Sequence, residues 1–339
     1  MKMNDSDILK KELETPRKIV IVPHRNPDGD AVGSSLALWH FFTNSGHKAT
    51  VVSPNDYPDF LKWVPGEETI VKFDSNKQKA TELLTEAHYI FTVDFNSFSR
   101  IEEMKPVLEN CDATFVMIDH HQQPDSYAKF MYSDTSMSST CEMVFNFLEE
   151  WGALPLIEEN IATCLYMGIM TDTGSFRFPS TTSTTHRVIA TLIDKGARNA
   201  YIHNQVYDTN SVNKLQLLGC ALSNLIFLEN YRTVFITLSS RELEQHQFKK
   251  GDTEGFVNYG LSLKNIVFSV IFIENAEEGY IKISLRSKGS FDVNEFARKH
   301  FNGGGHVNAA GGRSDLPIKQ TTDYFKSILP EYVTKLHNS

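Results

Sequence analysis

Four short apolar runs recur through the first third of the chain: Val20-Ile21-Val22, Ala49-Thr50-Val51-Val52, Tyr89-Ile90-Phe91-Thr92-Val93 and Thr114-Phe115-Val116-Met117-Ile118. Each is rich in β-branched or aromatic residues and bounded by turn formers, which is the pattern of a buried strand. Stretches of helical period separate them. Residues 31–45 carry Leu36, Leu38, Phe41 and Phe42, with Gly46 as a stop, and residues 77–86 and 99–109 read as further helices. Strands alternating with helices leave few folds open, and the expected one is a Rossmann-like parallel sheet with helices on both faces. Residues 1–16 read as a solvated helical leader and 54–65 as a loop with exposed aromatics. Helices are expected at 139–151, 158–170, 183–195 and 213–227.

From Tyr231 the pattern changes. A strand at 233–238 and a helix at 252–263 precede a hairpin of 267–273 with 280–286 across Asn275–Gly279. A helix at 291–299, a glycine-rich loop at 303–312 and a last helix at 321–336 complete a smaller α/β domain. The expected division is a catalytic domain at 17–189, a helical linker at 190–222 and a second domain at 223–339. A length of 339 residues, 41% of them hydrophobic, suits two domains with cores of their own. The net charge of −9 argues against coating long nucleic acid, which requires a broad basic surface. It leaves room for a small phosphate ligand in a local basic pocket. No apolar run is long enough to span a bilayer, and the polar N-terminus lacks the apolar core of a secretory signal. Cys111, Cys141, Cys164 and Cys220 are far apart and read as reduced thiols of a cytoplasmic protein.

The chemistry gathers at the strand ends. The first run leads into His24, Asp28 and Asp30, the third into Asp94, and the fourth into Asp119-His120-His121. Asp172 follows a helix in a Thr-Asp-Thr-Gly turn. Ligands of doubly wound sheets bind outside the carboxyl ends of the strands, so these side chains are expected at one edge. Crowded carboxylates repel one another unless a counter-charge is present. Two imidazoles and four carboxylates suit a pair of divalent ions, Mn²⁺ first, then Mg²⁺, Co²⁺ or Fe²⁺. His121, Arg177, Arg286 and His306 are candidate phosphate donors. The run Gly303 to Gly312 lets backbone amides approach a phosphate, with His306 and Asn308 as side-chain donors. Tyr57, Phe60 and Trp63 read as core or homodimer packing in preference to base stacking.

The segments HRNPDGDAVGS, Val93-Asp94-Phe95, IDHH and MTDTG, in that order, resemble the DHH phosphoesterase superfamily. GGGHVNAAGG, preceded by Leu285-Arg286-Ser287, resembles its DHHA1 substrate-binding domain. The compact size looks most like the branch combining oligoribonuclease with 3′,5′-bisphosphate (pAp) phosphatase activity. The resemblance implies two metals: His24 and Asp28 at one, Asp30, His120 and Asp172 at the other, with Asp94 bridging. It implies His121 as a donor to the scissile phosphate, with Asp119 steering its neighbours. Arg286, Ser287, His306 and the amides around Gly304 and Gly305 would grip the nucleotide in a cleft between the domains. Short RNA, pAp or dinucleotides are then the expected substrates. A linear or cyclic dinucleotide phosphodiesterase is the nearest alternative. A pyrophosphatase or polyphosphatase and a non-enzymatic nucleotide sensor are the others.

Overall fold

The computed structural model of the protein describes residues 5–276 and 278–339. The first four residues of the leader, and Glu277 in the hairpin turn, lie outside the described residues. The chain divides into two compact units, Met1–Thr209 and Asn210–Ser339.

In the first unit the strands are β1 (Lys18–Pro23), β2 (Lys48–Ser53), β3 (Val71–Lys72), β4 (Tyr89–Val93), β5 (Thr114–Asp119) and β6 (Phe130–Ser133). They pair in the order β3-β2-β1-β4-β5-β6, every pair parallel. The helices are α1 (Ser6–Glu12), α2 (Gly29–Asn44), α3 (Lys77–Thr85), α4 (Lys105–Glu109), α5 (Thr140–Glu150), α6 (Glu159–Asp172), α7 (Ser183–Asp194) and α8 (Asn199–Tyr207). The alternation along β1 sorts the two faces. Ile19 and Ile21 point into one core with Leu36 and Phe42 of α2. Val20 and Val22 point into the other with Ala80 and Leu84 of α3. The winding reverses between β1 and β4, so a crevice opens at that point beyond the strand ends.

Helix α2 starts where the Asp28 carboxylate caps it, accepting from the amides of Asp30 (3.0 Å) and Ala31 (3.1 Å). It stays buried along most of its length because α6 packs closely on it, which requires small residues at the crossing. A Cβ on Gly33 would stand 2.6 Å from the Cys164 carbonyl, and one on Gly168 would run into Cys141 Sγ.

Several expectations need correction. The leader is helical but docked: Leu9 and Leu13 are in the core, and Trp151 Nε1 donates to Ser6 Oγ at 2.9 Å. The loop at 54–65 does not expose its aromatics: Tyr57 is buried, and Phe60 and Trp63 pack against the same core, in line with the core packing expected of them. Residues 99–109 form two short 3₁₀ turns and the five-residue α4, with Pro106 near its start. β3 and β6 are additional strands, too short to show a period.

In the second unit the strands are β7 (Ile226–Leu228), β8 (Thr233–Leu238), β9 (Phe268–Asn275), β10 (Tyr280–Ser287), β11 (Gly304–Gly305) and β12 (Ala309–Ser314). Their order is β11-β12-β10-β9-β8-β7, antiparallel except for β8 with β9. The helices are α9 (Val212–Ser223), α10 (Ser240–Gln245), α11 (Phe256–Leu261), α12 (Val293–His300), α13 (Ile318–Ile328) and α14 (Val333–His337). The expected glycine-rich loop is a pair of strands. Gly303 and Gly305 come so near the backbone at Gly311 and Ala309 that a Cβ on either would clash. The 252–263 helix shrinks to α11. β7 occupies the tail of the helix expected at 213–227, and Pro330 sits in a 3₁₀ turn that divides the last helix. All four cysteines are free thiols. Among the described residues no helix is long and apolar enough to cross a membrane.

Candidate metal centre

Every side chain that the sequence places at the first sheet's carboxyl edge is found there. After β1 the chain turns through His24 to Asp28. That turn is held by a 2.8 Å bond from the Arg25 amide to the Arg100 carbonyl. The Asn26 amide also donates to Asn55 Oδ1 at 2.7 Å. After β4, Asp94 adopts a left-handed φ of 63°, a conformation Asp tolerates better than most residues. After β5 come His120 and His121, and Asp172 is the last residue of α6.

Two triads form: His24, Asp28 and Asp94; and Asp30, His120 and Asp172. In each, one ligand atom per residue lies within 4.8 Å of the others. Both histidines are oriented in the same way. His24 Nδ1 is 2.8 Å from the Arg25 carbonyl, and His120 Nδ1 is 3.3 Å from the Met137 carbonyl. A proton on Nδ1 satisfies each carbonyl and leaves Nε2 to face the acids, an arrangement common among metal-ligating histidines. Asp94 sits between the two triads. Its Oδ2 is 3.4 Å from His24 Nε2, and its Oδ1 is 3.5 Å from His120 Nε2. His120 Nε2 is also 3.6 Å from Asp172 Oδ2 and 3.9 Å from Asp30 Oδ2. Asp28 is the most open member: Oδ1 caps α2 while Oδ2 is 3.9 Å from His24 Nε2.

The charges fit a pair of cations. Burial pushes the Asp30 carboxyl well above its ordinary range, and the charges of Asp94 and Asp172 push it further. Burial acts on Asp94 in the same sense, but hydrogen bonds with His120 and His24 outweigh it and hold this carboxyl well below its range. Burial disfavours a charge on His120, yet Asp94 and Asp172 raise it well above the usual imidazole value. Oxygen donors with a minority of imidazole suit Mn²⁺ or Mg²⁺ better than a structural zinc.

His121 and Asp119 form a neighbouring unit. Asp119 accepts from the His121 amide at 3.1 Å, and its Oδ1 is 2.8 Å from His121 Nδ1. Burial holds His121 below its ordinary value, which the bond to Asp119 only partly offsets.

Three site residues were not foreseen. Thr140 is fully buried and donates from Oγ1 to Asp94 Oδ1 at 3.0 Å. Glu142, in the same first turn of α5, accepts from the Ser138 and Thr185 hydroxyls. The only local signal for this segment is Ser139 capping α5 ahead of Glu142. Arg100 is half-buried, follows Asp94 by six residues and contributes positive charge at both His24 and His121. Among the described residues no carboxylate pairs with it, whereas Arg25 is engaged by Glu102 at 3.1 Å.

Arg177 is exposed, and its Nε donates to the Gly174 carbonyl at 2.7 Å. In the second unit Arg286 lies near the end of β10, opposite Ala309 of β12. Ser287 Oγ donates to the Phe291 carbonyl at 2.6 Å and accepts from Asn308 Nδ2 at 2.9 Å, so these two side chains brace the strand end. The Gly305 amide donates to Asn294 Oδ1 at 2.9 Å, beside Gly304. The His306 amide donates to the Ala309 carbonyl at 2.7 Å.

A doubly wound sheet with paired carboxylate–imidazole triads at its switch point defines an α/β protein with a candidate divalent-cation centre. Residues 18–169 match the N-terminal domain of the DHH family, and residues 232–334 match the DHHA1 domain. The bifunctional oligoribonuclease and PAP phosphatase NrnA of Thermus thermophilus is 32% identical over 96% of this chain and 92% of its own. Its Bacillus subtilis namesake is 29% identical over 86% of this chain and 88% of its own. The crystal structure of an exopolyphosphatase-related protein from Bacteroides fragilis is 40% identical, with a TM-score of 0.93 over 98% of this chain and 97% of that one. The chain belongs to the DHH family of phosphoesterases.

Proposed function

We propose that this chain hydrolyses short oligoribonucleotides to mononucleotides and removes the 3′-phosphate of pAp, using two divalent ions, Mn²⁺ foremost. The relatives from Thermus thermophilus and Bacillus subtilis are named for those two activities. The observation that carries the reading is Asp94, whose two oxygens face the histidines of separate triads.

In this reading His24, Asp28 and Asp94 hold one ion, and Asp94, Asp30, His120 and Asp172 the other. Bound ions supply Lewis acidity and an activated water at neutral pH. The side chains around them do the rest. His121, oriented by Asp119, meets the scissile phosphate and takes up positive charge against a carboxylate already in place. Arg100 supplies a fixed cation to phosphate oxygens. Arg286 and His306 grip the nucleotide and its other phosphate, on a strand end shaped by Ser287, Asn308 and the turn at Gly304 and Gly305. Arg177 is an outlying donor.

The test is a turnover assay on protein stripped by chelation and then supplied with Mn²⁺, Mg²⁺ or Co²⁺. A dinucleotide, pAp, a cyclic dinucleotide, pyrophosphate and polyphosphate are compared. Hydrolysis of the dinucleotide and pAp, absent with EDTA and restored by Mn²⁺, is the expected result. Turnover of pyrophosphate or polyphosphate alone, or activity indifferent to chelation, overturns the reading.

A further inference from the structure

The two triads are not equally prepared. Both oxygens of Asp30 are engaged at the start of α5: Oδ2 accepts from the Thr140 amide at 2.6 Å, and Oδ1 from the Cys141 amide at 2.8 Å. The Thr140 hydroxyl then holds Oδ1 of Asp94, the oxygen on the His120 side. Glu142 ties Ser138 to Thr185 of α7, which fixes the turn whose Met137 carbonyl orients His120. Each carboxylate oxygen keeps a second lone pair for a cation. The other triad shares Asp94 but is held on fewer atoms: Asp28 accepts two amides on Oδ1 alone, at the start of α2, and leaves 56% of its side chain exposed, against 1% for Asp30.

A ligand already held in place loses little rotamer freedom when an ion arrives. Partners behind metal ligands typically carry about 10–100-fold of metal affinity. We propose that Thr140 is a positioning residue that makes the position of Asp30, His120 and Asp172 the tighter of two cation positions. The position of His24 and Asp28 is then the exchangeable one. This rests on the two-ion reading above, but it is tested by binding alone.

The experiment uses the full chain, stripped by chelation, with Mn²⁺ added stepwise and free Mn²⁺ read by electron paramagnetic resonance. The wild type should show two classes of bound ion, about 10-fold or more apart. Thr140→Val should weaken the tight class about 10-fold and change the weak class less than about 2-fold. Thr140→Ser should restore the tight class, which a merely steric role for the methyl group does not predict. Asp28→Asn should weaken only the loose class. Should Thr140→Val not fold, Glu142→Gln carries the same expectation by loosening the turn behind His120. Two equal classes in the wild type overturn the inference while leaving the two-ion reading intact. So does an unchanged tight class in these variants, or equal weakening of both classes. A wild type that binds no Mn²⁺ overturns both.

Discussion

Arg100 tests how far charge at the centre decides what binds there. The four carboxylates of the triads balance two dications, so a phosphomonoester, with its extra negative charge, needs a cation from elsewhere. His121 is held toward its neutral form before substrate arrives, whereas a guanidinium stays charged at any working pH. A charge-assisted hydrogen bond contributes about 1.5–3 kcal/mol, so Arg100→Gln should raise KM for pAp by about 10-fold or more. The change for a dinucleotide, whose scissile diester carries less charge, should be smaller. Steady-state kinetics on both substrates measure it, and an unchanged KM for pAp removes Arg100 from the phosphate's path. Nothing in the sequence marked Arg100, because an arginine seven residues past a strand end looks like any surface cation. The triads themselves were legible: strand tips must open on the sheet edge, so His24, Asp28, Asp30, Asp94 and His120 had only one place to go. Thr140 was not, since its bond to Asp30 spans 110 positions and depends on where α5 lands.

At the scale of elements, the crossing of α2, α5 and α6 decides whether Asp30 meets its amides. Gly168 lies in that crossing, facing Cys141 and Asp30. Helix propensity alone predicts that Gly168→Ala stabilises α6 by about 1 kcal/mol. The packing predicts the opposite: the new methyl group meets Cys141 Sγ and would stand 3.1 Å from Asp30 Oδ1. Overpacking of this kind costs about 1–3 kcal/mol, so the variant should unfold at lower denaturant than the wild type. A gain in stability would show that the helices can part there without consequence. The same crossing explains which elements the sequence disclosed. The long strands and α2 stand out because each is an apolar run buried along most of its length. β3, β6 and β7, of two to four residues, are too brief for any period. β11 and β12 are written in glycine and alanine, and their pairing comes from backbones that approach where no Cβ stands in the way. The leader looked solvated because its apolar residues are few, but two of them, Leu9 and Leu13, find the core.

At the scale of the molecule, each unit owns its cores. The clusters around Phe42 and Ile90 draw only on residues before 209, and those around Phe268 and Ile271 only on residues after 210. A unit with its own core and its own hydrogen-bonded sheet has what a domain needs to fold alone. The fragment 210–339 should therefore show a cooperative thermal transition when expressed by itself, as should the fragment 1–209. Metal separates the two. All of the triad residues lie in the first fragment, so Mn²⁺ should stabilise it and leave the second unmoved. An ion at 100 times its dissociation constant contributes about 2.7 kcal/mol, which is several degrees for domains of this size. Calorimetry of both fragments with and without Mn²⁺ decides the point. If the second fragment shifts with Mn²⁺ as much as the first, the ions are not held where Asp94 joins the two triads. If the first fragment does not shift, the carboxylates at the sheet edge tolerate one another without a cation, and the centre is something other than a metal site.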